Sequence, residues 1–216
     1  MYRKLIISGI FCLFTIYLLA QPSYKIRETG DFSSFEGHVL AKALNDSGAV
    51  AMMTITGIGS SPQVAGYLLK DEELTNLNLS LSRFPTSVND INNDNHICGV
   101  IADQSVQNYE SAFVHQSGNE VILSPPRVDS FENIGERALA ISDSGDIVGF
   151  FKLINRENGS TMEKACIWEN GIGKDLEIEN SRALDINTDK QVVGYFGSVD
   201  NNNLYRQLPF LWDDGD

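Results

Sequence analysis

The chain has few of the residues that reactions are usually built on. It holds three histidines and three cysteines in 216 residues. His38, His96 and His115 are scattered, with no His-x-x-x-His or His–Glu spacing, so they give no zinc pattern. Cys12 lies in the N-terminal apolar run, which leaves Cys98 and Cys166 without any Cys-x-x-Cys. Two cysteines are too few for a disulfide framework. Buried free thiols are the default expectation and a Cys98–Cys166 bridge is the alternative. There is no Gly-x-Ser-x-Gly elbow. GIGSS at residues 57–61 is rich in glycine but does not join a strand to a helix, so it reads as a loop and not a phosphate cradle. The expectation is of no cofactor and no metal.

Positive charge is scarce too. Sixteen Lys and Arg face 29 Asp and Glu, a formal net charge of −13. Such a surface repels phosphate backbones and anionic lipid, which excludes nucleic acid as the expected partner. A sustained apolar period of 3.6 is also missing beyond the N-terminus, so no major helix is expected; only residues 72–79 are ambiguous.

One long hydrophobic run is present. Arg3 and Lys4 precede an uncharged stretch from Leu5 to Ala20. A membrane span needs about 20 apolar residues, and this shorter run has the layout of a secretory signal. Residues 1–20 are therefore expected to be a signal peptide, with an uncleaved anchor as the alternative. Cleavage after Ala20 removes two basic groups and takes the balance from −13 to −15. The mature chain, 21–216, is expected to be secreted (extracellular, periplasmic or at the cell surface) without a membrane span.

What the sequence does have is a phrase written four times. Residues 183–196 read ALDINTDKQVVGYF and residues 138–151 read ALAISDSGDIVGFF. VNDINNDNHICG at 88–99 is a third copy, and AKALNDSGAVAM at 41–52 a weaker fourth. The key aliphatics Leu44, Ile91, Ile141 and Ile186 are spaced by 47, 50 and 45 residues. A second phrase follows each copy by 21 to 24 residues: GYLLKDE at 66–72, AFVHQSG at 112–118, ACIWENG at 165–171 and PFLWDDG at 209–215. Five residues past its last position come Leu77, Leu123 and Leu176.

The repeat is made of β-prone runs and turn chemistry. Ile-Val and Val-Val pairs favour strands, while Asn-x-x-Gly and Asp-Asp-Gly favour tight turns. Each unit reads as four short strands, placed in the last unit at Ala183–Ile186, Gln191–Phe196 and Gln207–Trp212, and at Lys174–Ile178 in the one before. Units of about 40–50 residues with four strands suit propeller blades, because one small sheet cannot bury both its faces. The expected fold is all-β, a small β-propeller-like array of four repeats. The units run about 38–84, 85–134, 135–179 and 180–216. Trp168 and Trp212 are expected to fill the space between blades. The last unit stops before its fourth strand, and residues 23–28 fit that register, so they are expected to close the array. A truncated, open array is the competing expectation.

At these residues the chain resembles the HAF repeat family of extracellular bacterial repeats, whose units carry Ala-x-x-Ile-Asn-x-x-Gly-x-Val-Val-Gly followed by His-Ala-Phe-Leu-Trp-x-x-Gly. The resemblance covers about residues 38–215. The His-Ala-Phe element becomes Ser111-Ala112-Phe113, Lys164-Ala165-Cys166 and Leu208-Pro209-Phe210, and the first unit lacks both Trp and the Val-Gly ending. The resemblance implies secretion and a β-rich repeat fold. It brings no catalytic residues.

No catalytic or ligand-binding set is legible. Asp90, Asn92, Asp94 and His96 resemble a calcium loop, but Ile101 stands where the twelfth-position carboxylate belongs, and a hairpin turn accounts for the segment. Loop residues Tyr109, Asn158, Asn201, Asn202, Asn203 and Tyr205 could meet a ligand or be plain polar loop. The expected function is a secreted, non-enzymatic binding or surface scaffold whose extracellular ligand, protein or glycan, is unread. The rival is a small propeller hydrolase or lyase acting on polysaccharide, with carboxylates supplied by different blades. A decayed fragment without function is a third reading.

Overall fold

The computed structural model describes residues 37–57, 62–79, 86–103, 109–199 and 204–213. The expected signal peptide 1–20, the expected closing strand 23–28 and Asn201, Asn202 and Asn203 lie outside the described residues.

Every regular element among the described residues is a strand. Four antiparallel sheets follow in chain order, each a simple up-and-down meander. The first holds β1 (His38–Leu44), β2 (Val50–Thr56), β3 (Gln63–Lys70) and β4 (Glu73–Asn76). The second holds β5 (Ser87–Ile91), β6 (Ile97–Asp103), β7 (Tyr109–Gln116) and β8 (Asn119–Ile122). The third holds β9 (Phe131–Ile141), β10 (Ile147–Asn155), β11 (Thr161–Glu169) and β12 (Ile172–Glu179). The last holds β13 (Ser181–Ile186), β14 (Val192–Val199) and β15 (Tyr205–Trp212). The ambiguous stretch 72–79 thus contributes the fourth strand of the first sheet.

The opening phrase of each unit is a hairpin whose turn is built the same way four times. Asn45, Asn92, Ser142 and Asn187 open the turns, and each donates its own N–H to the carbonyl four residues on. Each side-chain oxygen accepts the N–H at that same position, from Ala49, His96, Asp146 and Gln191 at 2.9–3.2 Å. The fourth residue of each turn takes positive φ: Gly48 (83°), Asn95 (61°), Gly145 (87°) and Lys190 (60°). Glycine and asparagine tolerate that region; Lys190 occupies it at a steric cost. The segment 90–101 is therefore a hairpin, and Ile101 is buried in β6.

The glycine that ends the phrase answers to a close approach. A Cβ on Gly99, Gly149 or Gly194 would lie 2.1, 1.9 or 2.1 Å from the carbonyl oxygens of Ser87, Arg137 and Arg182 on the neighbouring first strand. That first strand carries a β-bulge in all four sheets, which brings its backbone inward at this point.

The sheets stack in chain order. β5 packs on β1, β2 and β3; β9 packs on β5, β6 and β7; β13 packs on β9, β10 and β11. The key aliphatics make these contacts. Ile91 and Ile97 join Ala49, Ala51 and Leu77 of the preceding sheet. Ile141 and Ile147 join Ala112, Val114 and Leu123, with Trp168 fully buried among them. Ile186 and Val192 join Val148, Ile167 and Leu176, with Phe210 and Trp212 at the margin. Each buried side chain of this size contributes about 1.5–3 kcal/mol, so a sheet with one bare face gains stability by covering it with the next.

The connection from β8 into the third sheet is shortened, because β9 begins at Phe131: the long β10 reaches Asn155 and offers it a partner, with Asn155 opposite Phe131. The ends of the stack differ from its middle. Leu44 is 67% exposed, whereas Ile91, Ile141 and Ile186 are 5–7% exposed. On the last sheet Val193, Leu208 and Leu211 are exposed as well.

Candidate functional site

Among the described residues, side chains from different sheets meet at two cavities that differ in kind. The first is the set of turns. Leu44, Asn45 and Asp46, Ile91 to Asn93, Ile141 to Asp143, and Ile186 to Thr188 line one open cavity of about 340 Å3. The turns are tied to one another: Asn45 Nδ2 donates to the carbonyl of Asn92 at 2.9 Å, and Asn92 Nδ2 to that of Ser142 at 3.0 Å. Asn93 Nδ2 donates to Asp46 at 2.9 Å and to Asp143 at 2.7 Å. These groups are occupied with one another, so this end is a structural clasp.

The second lies between the third and fourth sheets, at the strand ends opposite the turns. It is a cleft of about 500 Å3, walled by Lys152 on β10, Glu163 on β11, Arg182 on β13, Tyr195 on β14, and Tyr205 and Gln207 on β15. Arg182 holds Glu163 through two bonds, Nε to Oε2 at 2.5 Å and Nη2 to Oε1 at 2.9 Å. Its guanidinium sits 4.3 Å from the centre of the Phe150 ring. Bonding to Glu163 raises the Arg182 pKa further, against the opposing effect of burial.

The same ion pair occurs one sheet earlier. Arg137 grips Glu110 with Nε and Nη2, both at 2.5 Å. Lys152 Nζ reaches the same carboxylate at 3.3 Å. Burial pushes the Glu110 carboxyl up, but the Arg137 bonds and the charges of Arg137 and Lys152 outweigh it, so its pKa lies below the ordinary value. Arg137 and Arg182 each stand immediately before the small residue that opens the repeat phrase, and Glu110 and Glu163 each stand two residues before the alanine of the second phrase. That shared offset is the sequence signal of the pair, and it lies outside the turn and apolar positions that define the repeat.

Three other carboxylates are committed: Glu136, which is buried, Asp90, which is partly buried, and Asp185, which is exposed. Asp90 accepts the N–H of Ile91 at 2.8 Å and that of Ile141 at 2.9 Å. Burial raises its pKa, the two backbone bonds lower it, and the Asp185 charge adds a small upward push. Asp185 accepts the N–H of Ile186 at 2.9 Å. Glu136 is 2% exposed and accepts from the Tyr109 hydroxyl at 2.7 Å and from Asn133. Burial holds its pKa above the ordinary value. Cys98 and Cys166 are buried free thiols whose pKa burial pushes well up. Among the described residues, no three His, Cys, Asp or Glu are grouped so as to hold a metal ion.

The loop residues singled out in the sequence separate accordingly. Tyr205 walls the cleft. Tyr109 supports Glu136. Asn158 accepts the N–H of Ser160 at 2.9 Å within the β10–β11 turn. His115 is half-buried, and burial lowers its pKa.

No family model matches the chain, and no curated protein matches it. Among the described residues no helix is long and apolar enough to cross a membrane.

Proposed function

We propose that the chain is a secreted, non-enzymatic HAF-type repeat protein, a β-propeller-like scaffold that binds an extracellular protein or glycan. The observation that carries this reading is the shared cavity lined by all four repeat turns, the first three of them tied turn to turn by Asn45 and Asn92. Four sheets whose first strands pack in sequence and whose turns meet around one cavity are what the blades of a small ring would present. β15 has no partner beyond β14 among the described residues, and residues 23–28 would lie beside it as the closing strand. The signal peptide 1–20 would deliver residues 21–216 outside the cytoplasm.

The binding role draws on the cleft, where aromatic and hydrogen-bonding side chains meet in a chain otherwise made of turn and core residues. The rival reading, a polysaccharide hydrolase or lyase, would call on Asp90 and Asp185. Both oxygens of Asp90 already hold backbone N–H groups, which suits a structural carboxylate better than one that must shuttle a proton.

The test has two arms. The mature chain 21–216 is screened on glycan and extracellular-protein arrays and assayed for release of reducing or unsaturated ends from polysaccharides. Saturable binding without turnover supports the scaffold. Turnover lost in Asp90→Asn replaces it with the enzyme. For closure, cysteines introduced at Tyr24 and Leu211 should cross-link within one chain; a bridge only between chains, or none, refutes the ring.

A further inference from the structure

We propose that the cleft between the third and fourth sheets is a subsite for one carboxylate-bearing sugar residue of an acidic polysaccharide. Lys152 and Arg182 meet the carboxylate, and Tyr205 meets the sugar face. The inference rests on the reading of the chain as a glycan-binding scaffold and adds the class of ligand.

Charge is the first ground. The chain carries 16 basic against 29 acidic residues, yet among the described residues the ion pairs in and beside this cleft set three cations, Arg137, Lys152 and Arg182, against two carboxylates, Glu110 and Glu163. The two pairs lie within electrostatic reach, since Arg137 feels both Arg182 and Glu163. Each carboxylate is gripped at both oxygens by its own arginine. Lys152 therefore shares an acceptor already taken, at 3.3 Å, and its side chain is 31% exposed on the cleft wall. A local cationic surplus of one, facing an open cavity, selects an anion.

The lining is the second ground. About 500 Å3 lies within the range of about 300–1,000 Å3 that small-molecule sites occupy. Tyr205 is 64% exposed on the wall, a large aromatic surface left in water. A tyrosine ring gives a sugar an apolar platform with a hydroxyl at its edge. Gln207 takes the place that Glu110 and Glu163 hold in the preceding sheets, so the strand that would have carried another carboxylate offers a neutral amide to hydroxyl groups instead. A single carboxylate with neighbouring hydroxyls matches this wall, which sets one shared lysine, a neutral amide and an aromatic ring side by side.

The experiment uses the mature chain 21–216 and isothermal titration with oligogalacturonate, oligoglucuronate and oligomannuronate, each against its fully methyl-esterified form. The ester keeps the shape and removes the charge. At least one free acid should bind, its ester about tenfold or more weaker, and affinity should fall with added salt. Lys152→Gln and Tyr205→Ala should each weaken binding about tenfold, and both variants should still unfold in one cooperative urea transition; Lys152→Gln, which gives up its 3.3 Å contact with Glu110, should move the midpoint only slightly because Arg137 keeps both oxygens of that carboxylate. Equal binding of acid and ester, or affinity untouched by Lys152→Gln and Tyr205→Ala, overturns the subsite. So does binding of none of the acids, or capture only of a peptide with a free C-terminal carboxylate. If a neutral glycan or a protein still binds in those cases, the scaffold reading stands without this subsite. If nothing on the arrays binds, that reading falls too.

Discussion

The side-chain amide of Asn92 donates to the carbonyl oxygen of Ser142, 3.0 Å away and 50 residues further along the chain. Asn45 does the same to Asn92. One residue type thus closes its own turn with its oxygen and reaches the next turn with its nitrogen. Ser142 keeps the first capacity and lacks the amide for the second. Asn187 spends its Nδ2 on Gln191 of its own turn.

Asn92→Ala removes an acceptor for the N–H groups of Asp94 and His96 and the donor to Ser142. At about 1 kcal/mol per net hydrogen bond, we expect a loss of about 2–3 kcal/mol. Asn187→Ala, at an exposed turn with no such bond to another sheet, should cost about 1 kcal/mol. Urea unfolding of both variants checks the difference; equal losses would mean that the cross-turn bond adds nothing.

Gly149→Ala places a Cβ 1.9 Å from the Arg137 carbonyl oxygen, against backbone that cannot yield cheaply. Gly118→Ala meets open space and pays only for its φ of 78°. We expect about 3 kcal/mol or more for the first and about 1 kcal/mol for the second. Thermal unfolding of the two variants is the measurement, and a milder Gly149→Ala would place the first strand farther from β10.

Cys98 and Cys166 should resist thiol reagents in the folded protein at pH 8, because burial both blocks access and disfavours the thiolate. Both should react in urea. Fast labelling of the native chain would show that the second or third sheet opens readily.

Acid should act on Glu110 and Glu136 in opposite directions. The Glu110 pKa is lowered on folding, so its contribution is present above the unfolded carboxyl pKa and is lost as pH falls through the folded value. Glu136 is raised, so its ionised form weakens the fold at neutral pH, and stability is recovered as pH falls through its folded pKa. Urea midpoints measured from pH 7 down to pH 3 should show Glu110→Gln losing less on acidification than the parent. Glu136→Gln should lack the parent's gain on mild acidification. Parallel curves for all three proteins would refute both assignments.

The hairpins were legible because their causes are local. An Asn or Ser, a positive-φ position three residues later and flanking β-branched pairs specify the turn without help from the rest of the chain. The apolar set was legible for a similar reason: Leu77, Leu123 and Leu176 keep one offset, and all three are buried at 5%, 1% and 5% exposure. Tyr205 was noted as a loop residue, and its cleft was not, since the wall comes from β10, β11, β13, β14 and β15 together.

By itself, then, the sequence determined four all-β units, their turns and their buried positions, because each depends on neighbours within a few residues. Tertiary structure alone decided that Arg137 meets Glu110 across 27 residues, that Arg182 meets Glu163 across 19, and that Lys152 joins the first pair at a cleft wall. Those meetings depend on how one twisted sheet is laid on the next. Side-chain charge pairs selectively only after apolar packing has fixed the distance between the strands that carry it.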